Sequence, residues 1–194
     1  MKKHTEKIAL YLHNEYGISP NMLSYSRIFS APWLALGAMS ILKNESTFLL
    51  ILFLILYFIA VLTDYMDGVL ARYLQKTGEH NVFFGGRLDR IADKIFIIFL
   101  LIPFGSNLFT ILIILGESLL AYHSLVAVGP ETQAKKIGKI KMVLQITLIP
   151  FLLIYSTTSF IPAMFLYSYL TLTVIFTFMS AYHHFFKYKN VGQD

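Results

Sequence analysis

The sequence predicts an all-α integral membrane protein of six transmembrane helices, with a short interfacial helix before them and the active site at the cytosolic end. Three observations carry this. Of 194 residues, 56% are hydrophobic and only 14% charged, where a soluble domain carries about 25% charged residues. Apolar runs long enough to cross a bilayer core, about 20 residues each, recur along the chain. The stretch from Met142 to Phe186 contains no Lys, Arg, Asp or Glu at all, which is enough for two spans.

Residues 1–17 read as an N-terminal interfacial segment, because Ile8, Tyr11 and Leu12 share one face of a short helix over Thr5 to Tyr16. That segment lacks the apolar core and small-residue cleavage site of a signal peptide. Residues 18–194 read as one six-helix domain. The first span runs from about Met22 to Leu42, and the second from about Thr47 to Tyr73. The third covers about Phe84 to Pro103 and the fourth about Asn107 to Val128. The fifth and sixth share the uncharged stretch, divided at Tyr155-Ser-Thr-Thr-Ser159 and Pro162.

Six spans place both termini on one side. Lys43 is the only one of 16 Lys and Arg residues that falls on the other side. The positive-inside rule makes the basic side cytoplasmic. The net charge of +5 suits anionic headgroups or a phosphorylated substrate. The Phe and Tyr richness is lipid-facing bulk, so no nucleic-acid partner is expected. With no cysteine in the chain, disulfides and thiolate metal sites are excluded.

Against this apolar background stand two acidic pairs, Asp64 with Asp67 and Asp89 with Asp93. An Asp at the centre of a membrane helix costs roughly 2.5–3.5 kcal/mol. Four of them close to long apolar runs need compensating charge, and divalent cations are the simplest source. Positions 64, 67, 68 and 71 share one helical face with Arg72 at its edge, and Asp89 and Asp93 are one turn apart. Two antiparallel neighbours can then bring the four carboxylates together. Oxygen ligands at that density suit Mg²⁺, Mn²⁺ or Ca²⁺, not zinc. Gly68 and Ala71 leave space on the same face, either for a ligand or for close helix packing. Arg72 offers a fork for phosphate oxygens, or else marks topology.

The order Asp64-x-x-Asp67-Gly68-x-x-Ala71-Arg72, then Gly85-x-x-x-Asp89-x-x-x-Asp93, resembles the signature of the CDP-alcohol phosphatidyltransferases. The segments Phe84-Gly85-x-x-Leu88-Asp89-x-x-Ala92-Asp93-Lys94, Pro20-Asn21-Met22-Leu23-Ser24-x-x-Arg27 and Gly138-Lys139-Ile140-Lys141 resemble its phosphatidylglycerophosphate synthase and cardiolipin synthase branch. The resemblance implies phosphatidyl transfer from CDP-diacylglycerol to an alcohol, with release of CMP. It implies two ions, Mg²⁺ or Mn²⁺, held by Asp64, Asp67, Asp89 and Asp93, with Asp93 also the general base. It implies that Gly68, Ala71, Arg72 and Gly85 meet the CDP-diacylglycerol. Arg27, Glu117, Lys139 and Lys141 are the candidates for the acceptor, and membrane lipids and a possible homodimer complete the expected partners.

Two departures bear on these expectations. Twelve residues separate Arg72 from Gly85, where the family usually has about eight, and the extra length around Lys76 to Asn81 reads as a longer cytosolic loop. The fourth helix reads Gly116-Glu117 where phosphatidylglycerophosphate synthases usually carry Arg-Glu. Glycerol 3-phosphate ranks first as acceptor, followed by phosphatidylglycerol (cardiolipin synthesis) and inositol phosphate. A divalent-cation transporter is the reading from another class. A conduction path needs polar residues spread across the bilayer, whereas these acids cluster at one end. A bacterial inner membrane is the expected location.

Overall fold

The computed structural model describes residues 11, 13–77, 82–126, 136–158 and 160–188. Side chains are described for these residues except 75–77, 82–87 and 186–188. Six long helices account for most of it, and no strand occurs among the described residues. They are α1 (Pro20–Asn44), α2 (Thr47–Thr77), α3 (Val82–Leu101), α4 (Leu108–Val126), α5 (Lys136–Thr157) and α6 (Ala163–Tyr188). A 3-10 turn, Ile102–Phe104, follows α3. Residues 13–16 are also helical, while Thr5 to Leu10 and Leu12 of the expected interfacial helix lie outside the described residues.

Local chemistry sets the helix ends. Ser19 caps α1 by accepting a hydrogen bond from the Met22 backbone N–H at 3.3 Å, and Pro20 opens the first turn. At the other end Glu45 takes a left-handed conformation, φ 48°, and its N–H returns to the Ile41 carbonyl at 2.8 Å. Ser46 alone then separates that cap from α2, so α1 and α2 form a tight antiparallel hairpin. Pro32 and Pro150 sit inside α1 and α5. Membrane helices tolerate such prolines because neighbouring groups satisfy the freed carbonyls.

Two residues of the expected longer loop after Arg72 are helical. Helix α2 continues through Thr77 and α3 resumes at Val82. Nothing from Tyr73 to Thr77 breaks a helix, and Gly78 is the first residue that does. Lys76 and Thr77 therefore extend α2; the remaining residues of that expectation, 78–81, lie outside the described residues.

Among the described residues, four helices are long and apolar enough to cross a membrane: Thr47–Leu74, Leu108–Val126, Lys136–Thr157 and Ala163–Phe185. Helices α1 and α3 do not meet that standard, and they carry Arg27 and the Asp89, Arg90, Asp93 and Lys94 group respectively. The surface agrees with a lipid setting. Trp33, Phe29 and Phe48 are each at least 70% exposed, a cost in water and none beside lipid.

Helix α1 packs along both α2 and α3, α4 packs on α3 and α6, and α5 packs on α6. Among the described residues α2 and α3 have no comparably broad contact with each other. The core runs through Ala31, Ala38, Phe53, Leu100, Ile113 and Ile149. Alanines on the buried face of α1 let it sit close to both neighbours. A ring stack of Phe53, Tyr57 and Phe96, with centroids 5.9 and 6.0 Å apart, ties α2 to α3. The Tyr57 hydroxyl donates to the Ile146 carbonyl on α5 at 2.7 Å. Because chain direction alternates, the start of α1, α3 and α5 and the end of α2, α4 and α6 meet at one pole of the bundle. The buried charges among the described residues, Arg27, Asp67, Glu117 and Lys141, lie there.

Candidate active site

The acids are placed by helical period. Asp64 and Asp67 come from the second half of α2, and Asp89 and Asp93 stand one turn apart around the middle of α3. Oxygens of Asp64, Asp89 and Asp93 lie within 4.8 Å of one another. Asp67 is set back from that trio. Its side chain is 5% exposed, against 40% for Asp89, and its Oδ2 accepts from Ser24 Oγ at 3.3 Å.

The gap between the pairs is filled from α1. Arg27, 2% exposed, inserts its guanidinium among all four carboxylates. Nη2 donates to Asp67 Oδ2 at 2.7 Å and to Asp89 Oδ1 at 2.6 Å. Nη1 donates to Asp64 and Asp93. The sequence groups Arg27 with the lysines of α5 as an acceptor contact; the structure bonds it to all four acids, and it also lines the cavity that Lys141 lines.

These residues fit a divalent metal. The donors are all carboxylate oxygens, which match hard cations. Three of them already converge on one small volume. One guanidinium leaves three negative charges uncompensated among the five groups, an excess that a low-dielectric setting penalises.

A cavity of about 150 Å³ opens beside Asp64 and Asp93. Its wall carries Arg27, Arg90, Lys94 and Lys141, together with Glu117, Ser124, Gln145, Ser180 and His184. Lys94 Nζ donates to the Arg90 carbonyl at 3.1 Å. Opposite the acids, Glu117 on α4 anchors a second buried cluster. Its Oε1 accepts from Lys141 Nζ at 2.7 Å and from Gln145 Nε2 at 2.8 Å. Gln145 Nε2 also reaches Thr177 Oγ1 at 3.0 Å. Lys141 and Gln145 are one turn apart on α5, so a single carboxylate can hold both.

The other expected contacts divide. Lys139 is exposed and does not line the cavity. Gly68 and Ala71 are half-buried and Arg72 is exposed beside them. A Cβ at position 68 would meet only the Arg72 Nη2, at 3.9 Å. Gly85 lies within α3, one turn before Asp89. Position 116 faces α6: a Cβ there would lie 2.6 Å from Thr177 Cγ2. Thr177 therefore occupies the space that the arginine of Arg-Glu chains would need.

Sequence reading assigns no site role to Ser24, Arg90, Lys94, Gln145 and Thr177. Ser24 is legible as the residue one turn before Arg27 on the same face. Gln145 is legible as a lone amide in an uncharged span, where a buried polar group needs a partner. Thr177 gives no signal, since hydroxyls in membrane helices usually bond their own backbone.

No curated protein matches the chain. The profile of the family described as CDP-alcohol phosphatidyltransferase matches residues 17–180. That range contains every acid of the cluster, Arg27 and the whole cavity wall except His184. The chain belongs to the CDP-alcohol phosphatidyltransferase family, whose members are enzymes that transfer substituted phosphate groups.

Proposed function

We propose that this chain moves a phosphatidyl group from CDP-diacylglycerol to glycerol 3-phosphate and releases CMP, as a step of phospholipid biosynthesis. Family membership supports phosphatidyl transfer from a CDP-alcohol. The observation that carries the acceptor is the cavity beside Asp64 and Asp93, whose wall holds Arg90, Lys94 and Lys141. Three cations around a small space favour an acceptor that brings its own phosphate. The modest volume favours a small one.

In this reading the acceptor's phosphate rests against Lys94 and Lys141, and Glu117 fixes the Lys141 ammonium. Arg90 supplies further positive charge at the mouth. The acceptor hydroxyl then faces Asp93, which takes its proton. The hydroxyl oxygen bonds to the phosphorus that bears diacylglycerol, the bond from that phosphorus to the bridging oxygen breaks, and CMP departs with the electron pair. Gly68 and Ala71 leave room for the cytidine, with Arg72 on the phosphate oxygens and Gly85 close by. Asp64, Asp67, Asp89 and Asp93 would hold Mg²⁺ or Mn²⁺, two ions, which neutralise the pyrophosphate and stabilise the entering and departing oxygens. The remaining contribution is orientation. In this reading α1 and α3 complete six spans, and the excess of Lys and Arg at this pole supports a cytoplasmic face, in a bacterial inner membrane.

The test is a panel assay. Purified protein with CDP-diacylglycerol and Mn²⁺ or Mg²⁺ is offered glycerol 3-phosphate, phosphatidylglycerol, inositol phosphate and serine, scoring CMP and the lipid product. The expected result is CMP release with glycerol 3-phosphate and formation of phosphatidylglycerophosphate. Turnover confined to phosphatidylglycerol or to a phosphate-free alcohol would overturn the acceptor, and no CMP with any acceptor would overturn the reaction.

A further inference from the structure

Arg27 reaches the four carboxylates from a helix that belongs to neither acidic pair. Its two Nη atoms serve all four: Asp64 and Asp93 on Nη1, Asp67 and Asp89 on Nη2. Its Nε is buried and has no hydrogen-bond partner. The guanidinium thus serves the acids fully while leaving one of its own buried donors unsatisfied, which is unfavourable. The acids need it there. Ionised carboxylates whose oxygens lie within 4.8 Å of each other repel strongly where water is scarce. Yet one positive charge among four negative ones is an incomplete answer, and Arg27 also lines the cavity where phosphate oxygens would lie.

We propose that Arg27 is a resident counter-cation that divalent metal displaces: its guanidinium ties α1 to Asp64, Asp67, Asp89 and Asp93 while the acids hold no ion, and it turns to phosphate oxygens in the cavity once they do. This rests on the reading above that the four acids hold metal. It assigns α1 a part in loading the site. The site stays assembled without an ion, so metal enters a formed cluster and not four dispersed acids. The arginine it releases remains within reach of the phosphates that follow. The same exchange opposes metal binding in the absence of substrate, because the ion must compete with a cation already in place.

The experiment measures Mn²⁺ binding by the loss of the free-ion electron paramagnetic resonance signal, on detergent-purified protein without nucleotide. Wild type, Arg27→Gln, Arg27→Lys and Asp89→Asn are compared. The expected result is an apparent Kd for Mn²⁺ lower in Arg27→Gln by about tenfold or more, since the competing state is gone. Arg27→Lys, which keeps charge but loses the fork, falls between it and wild type. Asp89→Asn binds poorly. In EDTA, Arg27→Gln melts below wild type, and Mn²⁺ narrows that difference. Unchanged or weaker Mn²⁺ binding in folded Arg27→Gln overturns the proposal, while the metal reading survives if wild type binds and Asp89→Asn does not. Absence of Asp-dependent binding in wild type overturns both.

A measurement on wild type alone guards against a variant that fails to fold. Phenylglyoxal modification of Arg27, read by peptide mass, should be slow in EDTA and at least several-fold faster with Mn²⁺. Equal rates overturn the displacement.

Discussion

Asp64 and Asp93 both touch the cavity, while Asp67 and Asp89 do not. Of the two, Asp93 shares its helix with Lys94 and Arg90, so in the proposed reaction the hydroxyl of a phosphate-bearing acceptor would meet Asp93. Asp93→Asn keeps size and hydrogen bonding but removes the proposed base. Its CMP release should fall by about 10²-fold or more, with an unchanged gel-filtration profile; near-normal turnover would remove Asp93 from that role. Lys94 and Lys141 are separable from it. Lys94→Gln and Lys141→Gln keep a donor, so Glu117 retains its partner in the second case. Each should raise KM for glycerol 3-phosphate by about tenfold, one lost charge-assisted bond, with a smaller effect on kcat. A change confined to kcat would place these lysines outside acceptor binding. Lys139, exposed and outside the cavity wall, serves as the comparison in which KM stays put.

Between elements, a close approach of α4 and α6 occurs at Gly116. Adding one methyl there puts it 2.6 Å from Thr177 Cγ2, and Thr177 is held by its bonds to Gln145 and to the Thr173 carbonyl. Gly116→Ala should therefore destabilise the protein by about 1–3 kcal/mol, the usual cost of overpacking. Thr177→Ser removes the obstructing carbon and keeps the hydroxyl that serves Gln145. The double variant should recover most of the loss in thermal unfolding, and additive losses would show that the contact is not the cause. Any larger side chain at position 116 would meet the same obstacle, and the positive charge lining the cavity comes from α1, α3 and α5.

At the scale of the molecule, one pole holds the buried charge and the rest is apolar. The absence of cysteine makes its sidedness easy to map. Single cysteines replacing Lys43 and Lys139, at opposite ends of the bundle, should react with an impermeant maleimide from opposite faces of sealed vesicles. Labelling of both from one face would refute the six-span arrangement. Much of this architecture is legible in the chain. Apolar runs locate the helices to within a few residues, except that α5 starts at Lys136, earlier than the uncharged run suggests, and α2 extends through Thr77. The spacing of Asp64, Asp67, Asp89 and Asp93 puts each pair on one helical face, since periodicity is a local property of a single helix. The partners of those faces are not legible. Sequence reading makes α2 and α3 neighbours and sets Arg27 beside the lysines; packing adds α1 broadly against both helices, with Arg27 bonded to the acids and Glu117 to Lys141. Which helices form, and where their charges lie along each axis, follows from the chain read span by span, because backbone hydrogen bonding and the bilayer act on each span separately. Which charges meet was decided by packing, because that depends on which small-residue faces let helices approach, a choice made jointly by several helices and written in no one of them.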